Sequence, residues 1–179
     1  NVSIANNSFS SRWFISPVAE NALNYYRYKY EGDFSEDGKL VSRVRVIPKR
    51  KYEPLFSGYI NIVDGDWRIH SIQLMLTKES QIEIIDTLRL EQLYVPFTDD
   101  VWVVKSQVMY PSIKILGFDA YGSFVNVYSD FNINPDFEKG YFGNTIVKYL
   151  DSSNKKTEQY WEETRPVPLQ LEEMNDYKR

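Results

Sequence analysis

The sequence predicts a mainly β protein: a curved antiparallel sheet or half-open β-barrel with an N-terminal helix and short C-terminal helical segments. Three observations predict it. From Tyr26 to Ile133 the side chains alternate between apolar and polar over long runs, which is the period of a strand. Short turns separate these runs, with no stretch of crossover-helix length between them, so an antiparallel meander is selected over a parallel sheet. After Asn134-Pro135 the alternation stops, and glycines and prolines break any regular pattern.

The chain has 179 residues, within the roughly 100–200 that make one domain. It contains no cysteine, so disulfides, thiolate metal sites and cysteine nucleophiles are excluded. Aromatic residues make up 16% of the chain, too many for wholesale disorder. The formal net charge of -4 argues against a nucleic-acid surface. No apolar run reaches the length of about 18 residues that marks a membrane helix. The chain opens at Asn1 without a methionine or a basic, apolar leader, so it is expected to be an excised piece of something larger.

The elements follow in order. Residues 1–15 form an irregular, Asn- and Ser-rich lead-in. Ser16-Pro17 is a helix start, with Ser16 as the cap and Pro17 where no amide is needed. A helix is expected over Pro17–Tyr25, with Val18, Ala22 and Leu23 inward and Trp13 and Phe14 nearby. Tyr26, Tyr28 and Tyr30 then alternate with Arg27, Lys29 and Glu31, giving a strand with one aromatic face. Glu36-Asp37-Gly38-Lys39 is a turn. The next strand runs Leu40–Ile47, with Leu40, Val44 and Val46 beside Ser42 on one face and Arg43 and Arg45 beside Val41 and Ile47 on the other. A hairpin follows, with arms Leu55–Val63 and Asp66–Lys78 and its tip at Asp64-Gly65. A third arm is expected over Ile82–Leu90, interrupted at Asp86-Thr87, before a turn at Thr98-Asp99-Asp100. Val101–Tyr110 is a strand closed by Pro111, and Ile113, Ile115, Gly117 and then Tyr121–Ile133 give the last one or two strands, with bends or bulges at Gly117 and Gly122. Short helices are expected at Thr157–Glu163 and from about Leu169 onward. The sheet domain with its helix thus spans 16–134. The tail, 135–179, either packs on it or links it to a following membrane region.

The residue types that carry chemistry are sparse. His70 is the single histidine, which excludes a structural zinc site. Glu83 with Asp86 and Asp99 with Asp100 are the carboxylate pairs close in sequence, and glycoside hydrolysis needs two carboxylates facing each other across a cleft. Asp99-Asp100 reads as turn chemistry. Neither Asp64 and Asp66 nor Asp136 and Glu138 has the spacing of a calcium loop. Gly140-Tyr141-Phe142-Gly143 lacks the Lys-Ser/Thr pair of a phosphate loop. Lys49-Arg50-Lys51 is either a basic contact for phosphate or lipid headgroups or a solvated loop. Tyr26, Tyr28 and Tyr30 form either an aromatic binding surface or the edge of the core. Trp67 and Trp102 are candidates for carbohydrate stacking. A curved sheet also has a concave face that either closes on a helix or accepts a ligand.

Several stretches carry a resemblance: Ser16-Pro17 with Asn21-Ala22-Leu23-Asn24-Tyr25-Tyr26, Val46-Ile47-Pro48-Lys49-Arg50, Phe56-Ser57-Gly58-Tyr59-Ile60 and Trp67-Arg68-Ile69-His70-Ser71. They continue with Asp86-Thr87-Leu88, Lys114-Ile115-Leu116-Gly117-Phe118, and Tyr160-Trp161-Glu162 through Arg165-Pro166-Val167-Pro168-Leu169. In these the chain resembles a family of uncharacterised envelope proteins of Bacteroidetes labelled carboxypeptidase-like regulatory-domain proteins. The resemblance implies a secreted precursor with a small β-sandwich first, a region like this one next, and an outer-membrane barrel last. The regulatory label belongs to the sandwich, so the resemblance implies no peptidase activity here. Val46-Ile47-Pro48-Lys49, a strand, the turn at Asp64-Gly65 and a second strand also resemble, in pattern, the lipoprotein-carrier class of half-open barrels. That likeness makes Ile60, Ile62, Ile72, Leu74, Leu76, Val104 and Val108 groove candidates, and an ordinary core would use the same residues.

The expected function is a non-enzymatic periplasmic interaction or scaffold domain of a larger outer-membrane-associated protein, on the periplasmic side of the outer membrane. The alternative is a lipid- or lipoprotein-binding carrier-like module, and the third is a hydrolase using paired carboxylates. No cofactor and no nucleic acid are expected. The partners implied are lipid or an envelope protein, with covalent continuation into an outer-membrane region. An open apolar cavity of at least about 300 Å³ favours lipid carriage and a filled one the scaffold. Two buried carboxylates facing across a cleft favour the hydrolase.

Overall fold

The computed structural model describes residues 14–77, 79, 85–115, 117–143, 149, 151–152 and 155–176. It divides into two compact units, Asn1–Ser129 and Asp130–Arg179. The first carries the sheet: β1 (Tyr26–Glu36), β2 (Lys39–Pro48), β3 (Ser57–Val63), β4 (Ile69–Thr77), β5 (Ile85–Pro96), β6 (Trp102–Ile115), β7 (Phe118–Tyr121) and β8 (Phe124–Val127). All pairings between these strands are antiparallel, the order is β1-β2-β3-β4-β5-β6-β7, and β8 also pairs with β6. The sheet stays open and does not close into a barrel.

The segment expected as a helix over Pro17–Tyr25 is instead a succession of turns ending in one short 3-10 helix, Ala22–Asn24. Its backbone bonds all reach three residues back: Ala19 N–H to Ser16 O, Ala22 to Ala19, Asn24 to Asn21 and Tyr25 to Ala22. Asn21 and Asn24 are residue types whose side chains compete with a helix for its backbone. Two carbonyls here are also taken by strand β1. Tyr26 Oη donates to Ile15 O at 2.5 Å and Tyr28 Oη to Pro17 O at 2.6 Å. The segment is therefore fastened to the sheet by tyrosine hydroxyls.

Turn chemistry sets the register. Glu36 pairs with Lys39 across Asp37-Gly38, both at positive φ (50° and 74°), the mirror-image turn that matches strand twist. Asp86 falls in a register shift between Ile85 and Thr87, so the expected interruption is an irregularity and β5 continues to Pro96. Residues 82–84 of that expected arm lie outside the described residues. Pro111 does not close β6, which runs on to Ile115. Its missing N–H falls on the outer edge, where Gly122 N–H donates to Pro111 O at 3.2 Å. Ser112 pairs with Tyr121 and Met109 with Phe124, so β7 and β8 are one strand in continuous register, broken opposite this proline. The last strand ends at Val127, short of the expected Ile133.

Register divides the side chains into two faces. One carries the rows Val44-Ile60-Ile72-Gln92-Gln107 and Val46-Gly58-Leu74-Leu90-Met109. Its core includes Tyr26, Val46, Ile60, Ile72, Leu74 and Leu76, and Ala22, Leu55 and Phe56 pack onto it with the partly buried Phe14 and Ile15. The other face carries Arg43-Asn61-Ser71-Leu93-Ser106 and Arg45-Tyr59-Gln73-Glu91-Val108. Neighbouring strands lie about 4.8 Å apart, so β2 and β6 are separated by about 19 Å in a flat sheet. Yet Lys39 Nζ of β2 lies 4.5 Å from the Trp102 ring centroid of β6. Glu36 of β1 likewise approaches His70 of β4 at 3.9 Å. Side chains standing perpendicular to a flat sheet do not meet across three or four strands. The sheet is therefore curled with the Arg43 face inside.

In the second unit, α1 (Glu158–Thr164) starts at Thr157, whose hydroxyl accepts from Tyr160 N–H at 3.2 Å. Pro166 and Pro168 separate it from α2 (Leu171–Asp176).

Candidate functional site: a polar groove on the concave face

A groove of about 270 Å³ crosses the concave face, and residues from β1 to β6 line it. Its floor is a chain of hydrogen bonds. Arg43 Nε donates to Asn61 Oδ1 at 3.3 Å, and Asn61 Nδ2 donates to Ser71 Oγ at 2.8 Å. Ser71 Oγ lies 3.3 Å from His70 Nδ1, and Glu36 Oε2 lies 3.9 Å from the same nitrogen. Asn61 is 2% exposed and His70 6%, so two polar side chains are buried here and both are bonded. Arg43 is half-buried, and its guanidinium carbon lies 5.2 Å from the Phe34 ring centroid and 5.4 Å from that of Tyr59. Glu91 is held by Arg89 Nε at 3.3 Å.

Ser71, His70 and Glu36 are the residue types of a hydrolytic triad, but the arrangement is not one. A triad base uses one ring nitrogen for the nucleophile and the other for the orienting carboxylate. Here Ser71 and Glu36 approach the same nitrogen, and Ser71 Oγ already accepts from Asn61. Asp99 and Asp100 occupy an exposed turn, where Asp100 lies 3.9 Å from Arg68. Asp86 accepts from its neighbour Thr87 at 3.2 Å, and Glu83 lies outside the described residues. Among the described residues, no group of three or more His, Asp or Glu side chains is placed to hold a metal ion.

The residues expected to form an apolar groove are distributed otherwise. Ile60, Ile72, Leu74 and Leu76 are buried in the core of the opposite face, with Ile62 packed against them. Val104 is half-buried and pairs with Tyr94, and Val108 lines the polar groove. Under the covering segment, a crevice between Phe14, Pro17, Phe56, Ile72, Leu74 and Leu90 measures only about 20 Å³. Tyr26 is 1% exposed, and burial pushes its hydroxyl well above the ordinary tyrosine range. Tyr28 and Tyr30 are progressively more open. Tyr30 Oη donates to Asp33 at 2.6 Å, which raises the phenol and lowers the carboxyl. The basic run is tied down locally. Lys49 donates to Leu23 O at 2.6 Å, Arg50 to Glu53 at 2.7 Å, and Lys51 lies 3.4 Å from Glu79. Trp67 is 83% exposed on a hairpin tip at φ 55°, and Trp102 lies under Lys39. Asp64 and Asp66 are exposed turn residues, and Asp136 and Glu138 are exposed beyond the sheet.

Sequence reasoning missed the Arg43-Asn61-Ser71 row. One signal was available: Asn61 interrupts the apolar run Tyr59-Ile60-Asn61-Ile62-Val63, where a strand facing only solvent or only core has little use for an asparagine.

Residues 1–131 match the family model DUF5686, a family of unknown function. The chain belongs to that family. No curated protein and no solved structure matches it. For this DUF5686 domain, the family description assigns no reaction and no ligand.

Proposed function

We propose that this domain is a non-enzymatic interaction module of a larger protein on the periplasmic side of the outer membrane, engaging an envelope protein through its concave face. The observation that carries the reading is that one face is covered, whereas the other, apolar at the buried Val41–Val63 pair, leaves a polar groove open. The apolar face is covered by Phe14, Ile15, Leu55 and Phe56, and the crevice left there, about 20 Å³, is the size of one water rather than an acyl chain. The concave face instead offers a polar groove whose buried groups are already satisfied, so it keeps its shape before a partner arrives. Among the described residues, no helix is long and apolar enough to cross a membrane.

Two measurements test this. Native mass spectrometry of the purified domain is expected to give the mass of the bare chain, and a stoichiometric acyl adduct would replace the reading with lipid carriage. A photo-crosslinking residue at Gln73 or Ser106, in the full-length protein in its own envelope, is expected to give one discrete protein adduct. The same residue at Tyr30, on the opposite face, is expected to give none. Adducts of equal yield from both faces would refute the concave face as the interacting surface.

A further inference from the structure

We infer that Arg43 is a carboxylate-binding residue, and that the groove takes an acidic side chain of a partner polypeptide. This rests on the concave face being the interacting surface. Arg43 is a guanidinium fixed before it has an anion. Its Nε is committed to Asn61, and Asn61 is fixed in turn by Ser71. The guanidinium carbon also lies within cation–π range of two rings, 5.2 Å from the Phe34 centroid and 5.4 Å from that of Tyr59. Among the described residues, no carboxylate comes within 4.0 Å of Arg43, although it is half-buried and lines the groove. Arg43 lines the groove with its Nε engaged and its two terminal nitrogens bonded to no protein group among the described residues, and a guanidinium holds a carboxylate through two parallel hydrogen bonds.

Two features narrow the anion. Glu36 and Glu91 line the same groove, and their charge disfavours a phosphate dianion more than a carboxylate monoanion. The volume of about 270 Å³ is below that of most drug-sized sites and suits one side chain with part of its backbone. Beyond Ser71 the row passes the apolar Leu93 and ends at Ser106, so an extended peptide has a further hydroxyl to meet.

Titration of the full 179-residue chain, followed through the Arg43 Nε–H and Asn61 Nδ2–H₂ NMR signals, tests the inference. The probes are N-acetyl-glutamyl amide, N-acetyl-glutaminyl amide, N-acetyl-alanine and inorganic phosphate. The glutamyl amide is expected to move both signals saturably, and the glutaminyl amide to leave them in place. Arg43→Gln is expected to weaken the glutamyl probe at least tenfold. Arg43→Lys, which keeps the charge and loses the fork, is expected to weaken it several-fold, with the backbone amide spectrum showing that both variants remain folded. Equal shifts from the glutaminyl probe, unchanged affinity in Arg43→Gln, or tighter binding of phosphate or of the α-carboxylate of N-acetyl-alanine would each overturn it. A Gln73 crosslink that persists in Arg43→Gln while the glutamyl probe fails would sink this inference and leave the interaction module standing. A wild-type chain that binds the glutamyl probe but crosslinks nothing from the groove would leave Arg43 a carboxylate-binding residue and sink both the partner polypeptide and the interaction module.

Discussion

Replacing Tyr26 by Phe removes one oxygen and leaves the ring that fills the core. That oxygen donates to Ile15 O at 2.5 Å and accepts from Phe56 N–H at 3.1 Å, joining the N-terminal segment, β1 and the chain before β3 at one buried point. Without it the Phe56 amide is left buried and unpaired, which costs about 1–3 kcal/mol, and the lost bond to Ile15 adds about 1 kcal/mol. The expected loss is therefore about 2–4 kcal/mol, measured by urea denaturation at pH 8. Alkali supplies a second readout. The phenol is neutral in both states below about pH 10, the ordinary tyrosine value. Burial raises the folded-state pKa, so above pH 10 the unfolded chain releases this proton while the folded one retains it. Stability contributed by Tyr26 is thus complete below pH 10 and declines above it. By pH 11 the wild type is expected to lose about 1 kcal/mol through this group, and the gap to Tyr26→Phe narrows by that amount. A loss below about 0.5 kcal/mol at pH 8, with a gap independent of pH, would refute the account of the hydroxyl as a clamp.

Gly58→Ala is expected to cost about 3 kcal/mol or more. Gly58 sits at φ 140° between Val46 and Leu74, where an added Cβ would lie 2.1 Å from the Gln73 carbonyl oxygen, and thermal denaturation would show the loss. Asp33→Asn should flatten the acid limb of stability. Bonds from Tyr30 and Ser42 lower this carboxyl, so its contribution is present above about pH 4 and disappears as pH falls through the lowered value. Denaturation at pH 3 and pH 7 measures that difference. Asn61→Ala is expected to cost about 1–3 kcal/mol by orphaning groups at a 2% exposed site, and to broaden the Arg43 Nε–H signal as its anchor is lost. Thr157→Ala should cost about 1 kcal/mol of α1 stability, visible as lost amide protection at Tyr160.

The strands β2 to β4 were legible because alternation recurs along each, as in Ile72-Gln73-Leu74 of β4, and Asp37-Gly38 and Asp64-Gly65 mark their turns. The N-terminal segment was misread because Ser16-Pro17 starts a turn as readily as a helix. What decides between them is the demand of Tyr26 and Tyr28 for carbonyls, a tertiary fact. Pro111 looked like a terminator because local reading cannot tell which edge of a strand its absent amide faces. The groove was illegible for a deeper reason. Arg43, Asn61, Ser71, Leu93 and Ser106 are scattered along the sequence and become neighbours only through four strand registers. Alternation reveals two faces, but it does not say which of them the curl turns inward. The twist of the assembled sheet fixes that, and it put the polar row inside.

Because every strand from β2 to β7 pairs with the one before it in the chain, no contact in the ladder waits for a distant segment to be made. Loop closures stay short and cheap in entropy, which favours fast folding. Assembly can then keep pace with a ribosome, each newly made hairpin arm zipping onto a template already in place.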